Sequence, residues 1–226
     1  MSLIKLQPRP LMREERTFRD DRLFIIGCDD RYAPKQYFDF FRKPRVHVYV
    51  VATEDGTSTA QAVLNRILEV AEEYEIEEGD QLWMVVDTDH CIESNHLPGF
   101  TSALNEAKQK GVNLALSRPC FELWLLLHHV EGAEVSTLRN ADEVETLLRN
   151  TIGEYNKSNV KQEYFTPEKV AHACIQAQLL DAAVGGGDIP AGNSSRVYLL
   201  MKAICGSIAG ESAICSASGP YLYPCK

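Results

Sequence analysis

Hydrophobic and polar positions alternate along this chain between two periods, and the switch between them outlines a fold. Leu23-Phe-Ile-Ile-Gly27 and Val46-His-Val-Tyr-Val-Val-Ala52 are short apolar runs rich in β-branched residues, each bounded by polar segments, and both predict strands. A third run, Leu82-Trp-Met-Val-Val-Asp-Thr-Asp-His90, starts after Gly79 and breaks into two carboxylates; a fourth is Val112-Asn-Leu-Ala-Leu116. Continuous apolar runs of this length suit strands buried on both faces of a parallel sheet.

Between them the period changes to that of a helix. Ala60, Val63, Leu64, Ile67, Leu68, Ala71 and Tyr74 follow the i, i+3, i+4, i+7 spacing of an amphipathic helix, with Thr57 or Ser58 as its expected cap. Pro34 precedes a short aromatic helix over 36–41, Thr101–Lys110 reads as a helix stopped by Gly111, and the chain turns at Pro119 into an apolar helix carrying Trp124. Four strand and helix alternations predict an α/β fold, a Rossmann-like parallel sheet flanked by helices, over 23–131. From 132 to 204 the pattern is helical only, at 141–150, 167–182 and 194–204, and predicts a helical extension packed on the core. Asn193-Ser-Ser195 is the expected cap of the last helix. Residues 1–22, with alternating charges, read as an arm that orders against something else, and 205–226, rich in Ser, Ala and Gly, as a flexible tail.

Bulk properties narrow the function. The 226 residues carry a net charge of −9 and a pI near 5.2, so the chain as a whole is no electrostatic glove for nucleic acid. A metal-dependent phosphotransferase or nuclease remains open, because a bound cation neutralises carboxylates where substrate meets them. No run of about 18 apolar residues is present and the start is not a signal peptide, so the expectation is a soluble, cytoplasmic protein without a membrane partner. The seven cysteines, at 28, 91, 120, 174, 205, 215 and 225, form no C-x-x-C pair, which argues against a zinc site and against a disulfide framework. No P-loop or G-x-G-x-x-G fingerprint occurs. An unrelated doubly wound phosphatase or transferase is the weakest of the open readings.

Chemistry concentrates at strand ends. If the third strand runs through Asp89, Asp87 and Asp89 point to one side, and a divalent cation, Mg²⁺ or Mn²⁺, explains such proximity best. The bland reading is a strand-end turn. Asp29 and Asp30, after the first strand, are either a solvated turn or further ligands; parallel neighbouring strands would bring both clusters to one edge. A separation above about 8 Å would exclude one shared metal site. His90 suits a supporting role beside the pair. Glu122, at the start of an apolar helix, needs a partner: it either completes a metal shell or satisfies Arg118 or nearby backbone donors. Arg31 and Lys157 are candidate phosphate contacts, with solvated surface cations as the alternative. His128 and His129 are adjacent on a helix and so make no metal pair; His47 and His172 have no companions.

Several of these pieces resemble one family. Leu116-Ser-Arg-Pro-Cys-Phe-Glu-Leu-Trp-Leu-Leu-Leu-His-His129 resembles the Ser-Asn-Pro-Cys-Phe-Glu-x-Trp signature of RloB-like proteins, with Arg118 in place of Asn. Val86-Asp-Thr-Asp-His90 stands where that family has Asp-x-Asp, Gly153-Glu-Tyr-Asn-Lys157 is similar to its Tyr-x-Lys segment, and Asn193–Leu200 to its Asn-Pro-Ser-Thr-x-Val-x-x-Leu helix start. The likeness runs from about Asp21 to Ile204. It implies a Toprim-like fold, in which a Glu after the first strand and an Asp-x-Asp after the third hold Mg²⁺ for phosphodiester chemistry. It further implies an effector nuclease of anti-phage or restriction loci, with an RNA or DNA substrate and an ATPase or other defence protein as partner. A homo-oligomer is also open. The chain departs from the pattern at Cys28-Asp-Asp-Arg-Tyr-Ala-Pro-Lys-Gln-Tyr-Phe38, where the family reads Cys-Glu-Gly-Glu-Lys-Thr-Glu-Pro-x-Tyr-Phe. The catalytic Glu falls on Asp29, one methylene shorter, and the Gly on Asp30. The resemblance therefore implies Asp29, Asp87 and Asp89 as catalytic groups, with Asp30 as a further ligand. The alternative is a catalytically degenerate module serving as a sensor or subunit of a defence complex.

Overall fold

A computed structural model describes residues 21–43, 46–52, 58–89, 91, 96–185 and 187–209. His90, the arm up to residue 20 and the tail from 210 lie outside the described residues.

The sheet has five strands in the order β2-β1-β3-β4-β5. β1 (Arg22–Cys28), β2 (Val46–Val51), β3 (Gln81–Asp87) and β4 (Val112–Arg118) are parallel. The chain goes outward from β1 to β2 and then returns across β1 to β3, so strand order reverses between β1 and β3. Their C-terminal ends are neighbours at this switch point, the place where open α/β sheets hold ligands.

Each face of the sheet has its own core because successive strand residues point opposite ways. Leu23 and Ile25, with Met84, Val86 and Leu116, pack under α2 (Ala60–Glu73) and α3 (Leu97–Gln109). Phe24, Ile26, Trp83 and Val85 face the opposite core. That core also holds α1 (Ala33–Asp39), α4 (Phe121–Leu126), α6 (Ala141–Ile152), α7 (Pro167–Ala183) and α8 (Val197–Ala209), joined by the one-turn α5 (Gly132–Val135). Every residue of α4 is buried, which explains a helix apolar all round. At Gly27 an added Cβ would lie 2.4 Å from Ile67, so only glycine lets β1 approach α2 this closely.

Several boundaries differ from expectation. α1 begins at Ala33 with Pro34 inside its first turn, because the Asp30 carboxylate accepts the amides of Tyr32 (2.6 Å) and Ala33 (3.3 Å). Thr59, rather than Thr57 or Ser58, caps α2 by accepting from the Ala62 amide. α3 begins four residues early, at Leu97, with Pro98 in its first turn. Asn193-Ser-Ser195 is not a helix cap: Ser194 and Ser195 form β5, antiparallel to β4, while the Asn193 amide donates to the carbonyls of Val135 and Leu138. Ser117 and Ser195 share a buried hydroxyl hydrogen bond of 2.8 Å. The 132–204 portion thus covers one face of the sheet and adds a strand to it. Among the described residues no helix is long and apolar enough to cross a membrane.

Candidate functional site

β1 and β3 pair with Cys28 beside Val85, so Asp29, one residue further on, and Asp87, two residues further on, come together at the strand ends. Asp29 Oδ2 accepts a 2.8 Å hydrogen bond from the Asp87 backbone amide. The two clusters the sequence set apart are in direct contact. β3 ends at Asp87, and Asp89 lies in the turn after it rather than on the strand, so the i, i+2 argument does not apply. The turn is held instead by main chain. Thr88 N–H donates to the Ser117 carbonyl (3.0 Å), and the amides of Thr88 and Asp89 both lie 3.3 Å from the Pro119 carbonyl.

Electrostatics separates this cluster from ordinary turn aspartates. Burial raises the Asp29 carboxyl to about 7, against the lowering effect of the Asp87 amide and with help from the charge of Asp30. Asp87 is pushed well above the usual carboxylate range by burial and then by the negative charges of Asp29, Glu122, Asp89 and Asp30. One of its oxygens, Oδ1, is buried without a hydrogen-bond partner. An unpaired buried carboxylate oxygen is costly, and active sites are where such a cost is tolerated.

A second pair of acids sits next to the first and is treated differently. Glu122, in the first turn of α4 and 2% exposed, accepts from Tyr155 Oη (2.8 Å) and pairs with Lys157 Nζ (2.9 Å) at the same oxygen, Oε1. Lys157 also pairs with Asp30 Oδ2 at 3.2 Å. Although burial works against it, the charges of Glu122 and then Asp30 hold the Lys157 ammonium above its usual range. Gln36 clamps the backbone here, donating to the Lys157 carbonyl (2.6 Å) and accepting from the Val160 amide (2.9 Å). Glu122 therefore finds its partners in the loop after α6, not in Arg118, whose guanidinium donates to the Pro190 carbonyl. Arg31 is exposed, its guanidinium 5.6 Å from the centre of the Tyr32 ring.

Three cysteines surround the acids, a feature sequence reasoning missed. Burial and then the aspartates raise the thiols of Cys28 and Cys91, Cys91 to about 11, while burial and then Asp87 and Glu122 raise Cys120. At neutral pH all three stay thiols and are poor nucleophiles or ligands. Arg66 of α2 was also missed; its Nη2 lies 3.5 Å from the Cys28 carbonyl, beside Asp29. Only the packing of α2 on β1 brings it there.

The donor set at the Asp29–Asp87 end is all carboxylate oxygen, which suits a hard divalent cation, and the partnerless Asp87 Oδ1 fits a ligand atom. Among the described residues, no three His, Cys, Asp or Glu side chains are grouped to hold a metal ion. A closed protein cage is thus not what these residues offer. Mg²⁺ is commonly held by one or two carboxylates plus water and substrate phosphate, and that is the arrangement this donor set matches.

A family model described as RloB-like protein matches residues 24–204, most of the chain. No curated protein and no solved structure matches it.

Proposed function

The chain belongs to the RloB-like family, and on that premise we propose that it is a Mg²⁺- or Mn²⁺-dependent nuclease of the Toprim-like kind, hydrolysing phosphodiester bonds of RNA or DNA. The observation that carries the reading is the Asp29–Asp87 contact at the switch point of the sheet, with Asp87 Oδ1 buried and unpartnered. In this reading Asp87, Asp29 and Asp89 hold the cation. Bound there, the cation polarises the scissile phosphate and stabilises the leaving oxygen.

The chain's own groups do the rest. Asp29, whose Oδ2 accepts the Asp87 amide, would act as acid/base as the alternative to completing the metal shell. Arg31, exposed beside the loop, contacts phosphate oxygens of the substrate. Lys157, the other candidate phosphate contact, is engaged by Asp30 and Glu122. Asp30 spends Oδ1 on the start of α1 and Oδ2 on Lys157, which leaves it a supporting rather than a ligand role. The net negative charge disfavours unassisted nucleic-acid binding, so delivery by an ATPase or another protein of a prokaryotic, cytoplasmic anti-phage system belongs to the same proposal.

A second reading, a degenerate module that keeps the fold as a sensor or subunit, is favoured by the shorter Asp29 and by the structural use of Asp30 and Glu122. One assay separates the two. RNA and DNA are incubated with the protein and Mg²⁺, Mn²⁺ or EDTA, with and without the product of a neighbouring gene, beside an Asp87→Ala/Asp89→Ala variant. Cutting that needs metal and is lost in the variant supports the nuclease. No cutting under any of these conditions sinks it in favour of the module.

A further inference from the structure

Five carboxylates, Asp29, Asp30, Asp87, Asp89 and Glu122, gather at the ends of β1, β3 and the start of α4, and two of them already hold a cation. The Lys157 ammonium lies 2.9 Å from Glu122 Oε1 and 3.2 Å from Asp30 Oδ2. Its side chain is half-exposed, but both partners of its ammonium lie inward of it. Its main partner is a carboxylate only 2% exposed, which Tyr155 also holds through the same oxygen. The backbone that carries it is clipped to α1 on two sides by the Gln36 amide, at Lys157 O and at Val160 N. Removing the ammonium would leave Glu122 a buried charge without its cation. The opposite end of the cluster is the reverse case, with Asp87 Oδ1 buried and unpartnered.

Two-metal phosphodiesterases place both cations among such carboxylates, about 4 Å apart, and each contributes positive charge. Here two of the five carboxylates are already paired with a monovalent group of the chain. We propose that Lys157 is a resident cation that takes the place of a second metal ion, so that this site binds one divalent cation per chain, on the Asp29–Asp87 side. The inference rests on the metal-binding reading above and decides its stoichiometry. It also makes the loop after α6, part of the C-terminal helical portion, a working part of the strand-end site.

The test counts metal. Mn²⁺ is titrated into the full-length protein while the electron paramagnetic resonance signal of free Mn²⁺ is followed. The wild type and Lys157→Arg take up one ion per chain. Lys157→Met takes up two, and the second is lost again in Lys157→Met/Glu122→Gln. Two ions on the wild type overturn the inference and leave the metal reading intact, whereas none on the wild type overturns both. A single ion on a Lys157→Met protein that still melts cooperatively also overturns it. Should Lys157→Met fail to fold, the same count on Lys157→Gln decides, with two ions expected and a single ion overturning the inference.

Discussion

Asp29 with Asp87 and Asp30 with Glu122 are two pairs of acids at one sheet edge, and they are solved in opposite ways. The second pair is complete: Lys157 and Tyr155 satisfy Glu122, while Lys157 and two backbone amides satisfy Asp30. In the first pair Asp29 accepts the Asp87 amide while Asp87 Oδ1 has no hydrogen-bond partner, and burial holds both carboxyls above their usual range. Completed charge networks hold a fold in register; uncompensated ones lower stability and persist where a ligand supplies the missing charge. The contrast teaches that acidity alone does not mark the site. The buried, partnerless oxygen of Asp87 does.

The largest effect should come from breaking the complete pair. Lys157→Met leaves Glu122 buried without its cation. A full loss of a buried partner costs about 3–5 kcal/mol, and the half-exposed lysine head reduces this to roughly 2–3 kcal/mol. Urea unfolding measures it, and adding Glu122→Gln to the same chain should recover part of the loss. Equal stability of Lys157→Met and wild type would mean that the two pairs do not differ.

A buried base outside the acidic cluster tests the same rule with the sign reversed. His128 is held by the Trp124 carbonyl at Nδ1 (2.9 Å) and by Tyr37 Oη at Nε2 (3.0 Å), which places its proton on Nδ1 and lets Nε2 accept from the tyrosine. Burial lowers it to about 3. A histidine lowered on folding contributes stability that is present above its unfolded value near 6.5 and lost as pH falls toward 3. Between pH 6.5 and 5 this amounts to roughly 2 kcal/mol, seen as one proton taken up on unfolding; His128→Gln should flatten the profile over that window. A wild-type profile already flat there would contradict a neutral buried His128.

The smallest effect is a gain. In EDTA, Asp87→Asn removes a carboxyl whose ionisation burial opposes and one of whose oxygens has no partner, and should stabilise the protein by about 1 kcal/mol, or roughly 2–4 °C in melting temperature. Mn²⁺ should then raise the melting temperature of the wild type but not of the variant. Destabilisation by Asp87→Asn in EDTA would show that Asp87, like Glu122, is already satisfied.

Much of this was legible in the sequence. The four parallel strands and most helices follow from apolar periodicity, since a residue's side of a strand or helix is a local geometric matter. Asp29, Asp87 and Glu122 could be named as well, because carboxylates that end or interrupt apolar runs need an explanation wherever they occur. β5 was not legible: two serines carry no periodic signal, and they become a strand only because β4 offers an edge. Tyr155 was noticed only inside a segment resembling a family motif, and neither Arg66 nor the three thiols beside the acids was placed at the site at all.

The sequence by itself determined the alternation of elements, the membership of the RloB-like family and the acids available for chemistry. Tertiary structure decided how those acids are divided. Lys157 stands 127 residues from Asp30 and 35 from Glu122, as their numbers show, and no local pattern says that it reaches both. Whether a buried carboxylate is compensated depends on what packs against it across the fold, and charge interactions decay with distance in space rather than along the chain.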